Sequence, residues 1–102
     1  MANNDKRKHT RLPLLIEVVW EAGTGKYEAR TTDISEGGCF IDTMGQVALG
    51  ETINFKLCLT GDEWIEVQGE VTYELPRAGF GVRFTKISEA DQKRLNELIR
   101  AK

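Results

Sequence analysis

Short segments in which apolar and polar side chains alternate run through most of this chain. In residues 53–60 the apolar positions are Ile53, Phe55, Leu57 and Leu59. A period of two places successive side chains on opposite faces of an extended chain, so each such segment predicts a strand with one buried face. The pattern therefore favours a sheet protein over a helical one.

Six segments predict strands, and turn signals separate them. The predicted strands cover residues 14–20, 26–32, 39–42, 53–60, 65–73 and 80–84. Glycine or proline lies in each intervening segment, including a polar, glycine-rich loop that we predict over residues 33–38. Six short strands with close turns predict an all-β fold, namely a small antiparallel β-barrel.

The last part of the chain follows a different period. Leu95, Leu98 and Ile99 recur at helical spacing, and Ser88 with Asp91 forms a start signal similar to a capping box. We expect one amphipathic C-terminal α-helix that covers the barrel.

Charge divides the chain into a basic arm and an acidic remainder. At 102 residues the chain has room for one domain. Residues 1–11 carry four basic side chains against one acidic, whereas residues 12–102 carry ten against fifteen. We therefore predict a flexible arm over residues 1–11 and a barrel domain with its helix over residues 12–102. Positive charge confined to an arm suits a small anion better than a nucleic-acid polymer, which needs a basic face.

No segment approaches the roughly 20 apolar residues that span a bilayer, and no apolar stretch follows the first basic residues. The sequence predicts a cytoplasmic protein without membrane insertion.

Residue types that carry catalysis or bind metals are sparse. His9 has no nearby nucleophile, and it cannot complete a zinc set with Cys39 and Cys58, which lie in strand-like runs. We expect two reduced, core-facing thiols, no metal, no cofactor and no enzymatic activity. Trp20 and Trp64 are expected to be partly buried at strand ends.

Two short motifs supply groups that fit a phosphorylated guanine ligand. Arg7 and Arg11 are four residues apart, so their side chains share a face in a helix or in an extended segment. Each guanidinium can pair with phosphate oxygens or bond guanine O6 and N7. Taken alone, this motif also fits a solvated basic tail.

The second motif lies between the second and third predicted strands. Asp33 offers a carboxylate that accepts from the N–H edge of guanine, Ser35 offers a hydroxyl, and Gly38 allows close backbone approach. Taken alone, this motif also fits an ordinary turn between strands.

The order of the two motifs along the chain resembles that of the PilZ domain, with RxxxR before the first strand and DxSxxG after the second. Further similar positions are Gly50, Gly69-Glu70-Val71 and Gly81-Val82-Arg83-Phe84, so the resemblance covers nearly the whole chain. PilZ domains are six-stranded barrels that bind the bacterial second messenger cyclic di-GMP. The resemblance therefore implies this ligand.

The resemblance also implies a set of ligand-binding residues, which are Lys6, Arg7, Arg11, Asp33, Ser35, Gly38 and Tyr73. The arginines would contact phosphate and guanine, Asp33 and Ser35 would bond guanine, and Gly38 would keep the loop tight.

Two members of this set depart from the simple pattern. Lys6 stands where the family motif often has another arginine, and lysine cannot stack a planar fork on a base, so one ligand and a stacked pair both stay open. Tyr73 lies near a position where some family members place an aromatic residue against the ligand. The parity of its strand favours core packing instead.

The same resemblance implies a cyclic di-GMP receptor and adaptor. We expect its flexible arm to become ordered on ligand binding and to signal to a downstream protein partner. An alternative is a PilZ-fold adaptor that binds proteins but no nucleotide. A third reading, a barrel that binds single-stranded nucleic acid, conflicts with the acidic barrel region.

Overall fold

A closed barrel of antiparallel strands forms the body of the computed structural model, which describes residues 12–23 and 25–101. The strands are β1 (Glu17–Ala22), β2 (Gly25–Ile34), β3 (Gly38–Asp42), β4 (Thr52–Thr60), β5 (Glu63–Leu75) and β6 (Gly79–Ile87). They follow the order β1-β2-β3-β6-β5-β4, and β1 pairs with β4 to close the barrel. A helix, α1 (Glu89–Arg100), ends the chain. The predicted six-stranded barrel with a C-terminal helix is confirmed.

The alternation read from the sequence is the alternation between the barrel interior and its outer face. In β4, Ile53, Phe55 and Leu57 are at most 3% exposed, while Asn54 and Lys56 are exposed. The core combines such positions from every strand with Leu95 of α1. Burial of this apolar surface supplies the main favourable free energy of folding.

The two ends of the barrel are closed differently. Because neighbouring strands are antiparallel, the β2–β3 turn, the β4–β5 turn and the end of β6 lie at one end, where α1 begins. Ser88 caps α1 by accepting a hydrogen bond from the Asp91 backbone N–H at 3.0 Å, as the capping signal predicts. Leu95 is fully buried. Among the described residues, no helix is long and apolar enough to cross a membrane.

Trp20 lies toward the opposite end, and the prediction that it is partly buried is wrong. Its side chain is 0% exposed because it stacks on Tyr27, meets Phe80 edge to face, and packs against the backbone of Gly45. A Cβ at Gly45 would overlap the indole ring. The connection between β3 and β4 therefore covers this aromatic cluster. Trp64 is 39% exposed at the start of β5.

Strand β1 begins later than residue 14, the predicted start, because a side chain replaces part of the backbone ladder there. The Thr31 hydroxyl accepts from the Ile16 N–H at 3.0 Å and donates to the Leu14 carbonyl at 2.7 Å. Residues 14–16 are therefore held against β2 without regular pairing. The predicted inward parity of Leu14, Ile16 and Val18 is nevertheless kept.

The predicted loop over residues 33–38 is also too long. Strand β2 continues through Asp33 and Ile34, and β3 begins at Gly38, so the loop contains residues 35–37 alone. The polar Asp33 fits within a strand because it lies on the outer face, opposite the buried Ile34.

Neither cysteine forms a disulfide, but the prediction that both thiols face the core holds for Cys39 alone. Cys58 alternates with the inward Leu57, and its Sγ donates to the Gly61 carbonyl at 3.2 Å. Desolvation, followed by the nearby carboxylates of Glu17 and Asp62, raises the pKa of the Cys58 thiol. The raised pKa keeps this thiol protonated and poorly nucleophilic at neutral pH.

We predict that Thr31→Val lowers the free energy of unfolding by about 2 kcal/mol, measured by urea denaturation, because two backbone groups lose their partners in a buried site. The matched control is Thr85→Val, which removes an exposed hydroxyl bonded to the Gln68 carbonyl. Equal losses in the two variants would contradict the structural role assigned to Thr31.

Candidate functional site

The second sequence motif forms the tight turn that joins β2 to β3. The Ser35 N–H donates to the Gly38 carbonyl at 2.8 Å. The Ser35 hydroxyl lies within 3.3 Å of both the Gly38 carbonyl, to which it donates, and the Gly37 N–H, from which it accepts. With 4% of its surface exposed, Ser35 shapes the turn from inside. Its predicted bond to a ligand stays a prediction.

Groups from distant parts of the chain hold the tip of this turn. The Phe84 N–H of β6 donates to the Gly37 carbonyl at 2.8 Å. The Gln92 side chain of α1 donates to the Glu36 carbonyl at 3.0 Å. The turn is thus bonded to the barrel wall and to the helix as well as within itself, which restrains its backbone.

Gly38 is the residue that lets β3 approach β6 closely. It pairs with Arg83 in the sheet, and an added Cβ would overlap the Val82 carbonyl oxygen. This close approach is the local effect that the motif predicts for Gly38. Its role toward a ligand stays a prediction.

The chain before β1 also meets this motif. Leu12 and Ile34 form a two-bond antiparallel bridge, in which the Leu12 N–H donates to the Ile34 carbonyl at 2.9 Å and the Ile34 N–H donates back at 3.0 Å. Because Arg11 precedes Leu12 in sequence, the last residue of the first motif is covalently joined to the residue that bridges Ile34, which lies between Asp33 and Ser35 of the second motif. Lys6, Arg7 and Arg11 themselves lie outside the described residues, and their roles stay predictions.

A row of cross-strand partners on the outer face of the barrel, here called the outer-face row, connects Asp33 to two aromatic residues. The sheet register pairs Asp33 with Phe40, Phe40 with Gly81, and Gly81 with Tyr73. Paired residues share a face, so the row crosses four strands, or roughly 14 Å at the usual strand spacing. Asp33 is half-buried at one end of the row, and Tyr73 is 41% exposed at the other.

The expectation that Tyr73 packs in the core is wrong. A register irregularity lies between Val71 and Tyr73, so the strict alternation that begins at Ile65 ends there. The Tyr73 ring lies instead over Gly81 on the outer face, 5.9 Å from the Phe40 ring. The sequence pattern gave no sign of the irregularity. Whether Tyr73 contacts a ligand stays a prediction.

Phe40 is a candidate that sequence reasoning missed. Its side chain is only 7% exposed, but it packs beside Tyr73 on the outer face and is not part of the inner cluster. The sequence did contain a signal for its position. Cys39 and Ile41 are apolar residues of the same strand, so the residue between them must face the other side of the sheet. Among the described residues, no group of three or more His, Cys, Asp or Glu side chains could hold a metal ion.

We predict that Gly38→Ala lowers the free energy of unfolding by about 1–3 kcal/mol, since the added methyl group must displace the β6 backbone. The matched control is Gly23→Ala, whose Cβ would meet no atom within 4 Å. Chemical denaturation of both variants measures the difference. A Gly38→Ala protein as stable as the Gly23→Ala protein would show that β3 and β6 can separate at no cost.

Solved structures of other proteins share this fold. Among solved structures, the chain is similar to the inhibitor of motility MotI/DgrA of Bacillus subtilis, with 18% identity and a TM-score of 0.78 over 96% of this chain and 51% of that chain. It is also similar to the PilZ domain of CeSA from a cellulose-synthesizing bacterium, with 17% identity and a TM-score of 0.62 over 90% and 93% of the two chains.

The TM-scores show a shared fold at these low identities, and the chain spans about half the length of the motility inhibitor. Curated proteins give no match. The family model of the PilZ domain matches residues 5–101, which include both motifs and every strand. This chain therefore belongs to the PilZ domain family.

Proposed function

We propose that this chain is a cytoplasmic cyclic di-GMP receptor that acts as an adaptor without catalysing a reaction. The observation that carries the proposal is the Leu12–Ile34 bridge. Leu12 directly follows the last arginine of the RxxxR motif and bonds Ile34, which lies between Asp33 and Ser35 of the DxSxxG motif, although 21 residues separate the two motifs in sequence. Membership of the PilZ family supports the choice of ligand.

The chemistry of the two motifs is complementary. Arg7 and Arg11 supply positive forks for the ligand's phosphates and for guanine O6 and N7. Asp33 supplies an acceptor for the guanine N1–H and amino group. Ser35 and Gly38 shape the turn that follows the strand end carrying Asp33.

The aromatic end of the outer-face row extends the proposed site. Tyr73 presents ring surface on the same side of the barrel as Asp33, and the buried Phe40 ring packs beside it. Bases stack on aromatic rings with a favourable free energy, so a partly exposed tyrosine suits the second base or the ribose of the ligand. Lys6 adds positive charge, and both a single ligand and a stacked pair fit this arrangement.

In the proposed mechanism, ligand binding orders residues 1–11 over the turn and the outer-face row. Ordering a segment offsets part of the binding free energy, so we expect an affinity near the micromolar range. The arm and ligand together would then form a surface that a downstream protein partner recognises.

Calorimetric titration with cyclic di-GMP, with GTP as the control ligand, tests the proposal. We predict that Arg11→Ala weakens binding by roughly 2–4 kcal/mol, because charge-assisted hydrogen bonds in a partly desolvated site are lost. The matched control is Lys56→Ala, which removes one exposed positive charge from β4. The free energy of unfolding should hardly change in either variant.

The outcomes separate the two candidate functions. If the Arg11→Ala protein bound cyclic di-GMP as tightly as the Lys56→Ala protein, the arm would not be part of the ligand-binding site. A parent protein that binds no cyclic di-GMP would favour the alternative, an adaptor of PilZ fold that recognises proteins alone.

Guanine selectivity should depend on Asp33, since its carboxylate faces a mismatched edge when the base is adenine. We predict that cyclic di-AMP binds far more weakly than cyclic di-GMP, and that Asp33→Asn weakens cyclic di-GMP binding roughly 10- to 100-fold. Asp42→Asn, at the exposed end of β3, is the matched control. Parent protein that binds the two dinucleotides equally would exclude Asp33 as the guanine-reading group.

A further inference from the structure

The helix α1 presents a polar stripe to the turn that carries the DxSxxG motif. Gln92, Asn96 and Arg100 are four residues apart, so their side chains share one face of the helix. Gln92 donates to the Glu36 carbonyl at 3.0 Å across 56 residues of sequence. Arg100 lies 3.8 Å from the Glu36 carboxylate, a longer and more exposed contact.

The Gln92 amide is itself held in place. Its nitrogen donates to the Asn96 Oδ1 at 2.8 Å as well as to Glu36. An amide nitrogen has two hydrogens, so both are used. Asn96 therefore fixes the orientation in which Gln92 meets the turn, and rotation of the amide away from Glu36 would break both bonds.

Apolar packing does not fill the space at this junction. A groove of about 490 Å³ lies between the turn and the helix, with Glu36, Gly37, Gln92 and Asn96 among its lining residues. The apolar face of α1, through Leu95, enters the core instead. The turn and the helix are therefore connected here mainly by hydrogen bonds, which are directional and respond to small displacements of the turn.

We infer that Gln92 is a positioning residue for the ligand turn and that α1 is energetically coupled to occupation of the site. Gln92 fixes the Glu36 carbonyl, and Glu36 lies between Ser35 and the close-packed Gly38. Coupling is reciprocal, so a contact that supports the ligand-binding form of the turn is itself strengthened when ligand binds. The inference rests on the proposed function. It makes α1 a second element, besides the N-terminal arm, that responds to ligand binding.

The test compares Gln92→Met with Gln68→Met. Methionine keeps the length of the side chain and the helix propensity but cannot donate a hydrogen bond. Gln68 donates to Asn54 at 3.1 Å between β4 and β5, so its variant removes a similar bond away from the turn. We expect cyclic di-GMP to bind roughly tenfold more weakly to Gln92→Met and within about twofold of the parent to Gln68→Met.

Amide hydrogen exchange distinguishes coupling from a merely structural role. In the parent and in Gln68→Met, cyclic di-GMP should slow exchange in α1, whereas in Gln92→Met this ligand-dependent protection should be lost. The inference would be overturned if cyclic di-GMP slowed exchange in α1 equally in all three proteins, or if Gln92→Met bound cyclic di-GMP as tightly as the parent. The proposed function would stand in either case. A parent protein that binds no cyclic di-GMP would overturn both.

Discussion

One register pair in the β2–β3 hairpin determines what the candidate site presents to its surroundings. Ile34 and Cys39 are cross-strand partners with both side chains in the core. Because side chains alternate along a strand, Asp33 and Phe40 must then lie on the outer face. A slip of one residue would bury the carboxylate and expose the isoleucine, at a large cost in free energy. The bonds of Ser35 across the turn fix this register.

Most of the fold could be predicted because side chains along a barrel strand face the interior and the exterior alternately, which gives the sequence a hydrophobic period of two. The period fails where a local feature changes the parity or replaces the ladder. Such features are the irregularity before Tyr73 and the side-chain bonds of Thr31. Trp20 was misjudged for another reason. Its burial depends on the β3–β4 connection, whose path over the ring is decided by tertiary packing around Gly45.

The candidate site could be predicted in part. Asp33, Ser35 and Gly38 form a local motif, so the sequence alone groups them, and the structure places them in one hairpin, with Asp33 in β2, Ser35 in the turn and Gly38 at the start of β3. Phe40 and Gln92 could not be found in the same way. Phe40 joins the site through cross-strand register, and Gln92 through the docking of a helix far along the chain. Alternation in the sequence places Phe40 on the outer face, but its pairing with Asp33 and the contact of Gln92 with Glu36 depend on three-dimensional arrangement.

The turn between β2 and β3 is a junction of elements that are separated in sequence. Leu12 bonds beside it, Phe84 bonds its Gly37 carbonyl, and Gln92 bonds its Glu36 carbonyl. Each bond contributes about 1 kcal/mol, whereas the close-packed barrel beneath resists deformation. When a ligand displaces Asp33, the close-packed barrel on one side therefore resists the movement more strongly than the hydrogen bonds on the other side. Any displacement of the turn will be taken up by those bonds, which lead to the N-terminal segment and to α1.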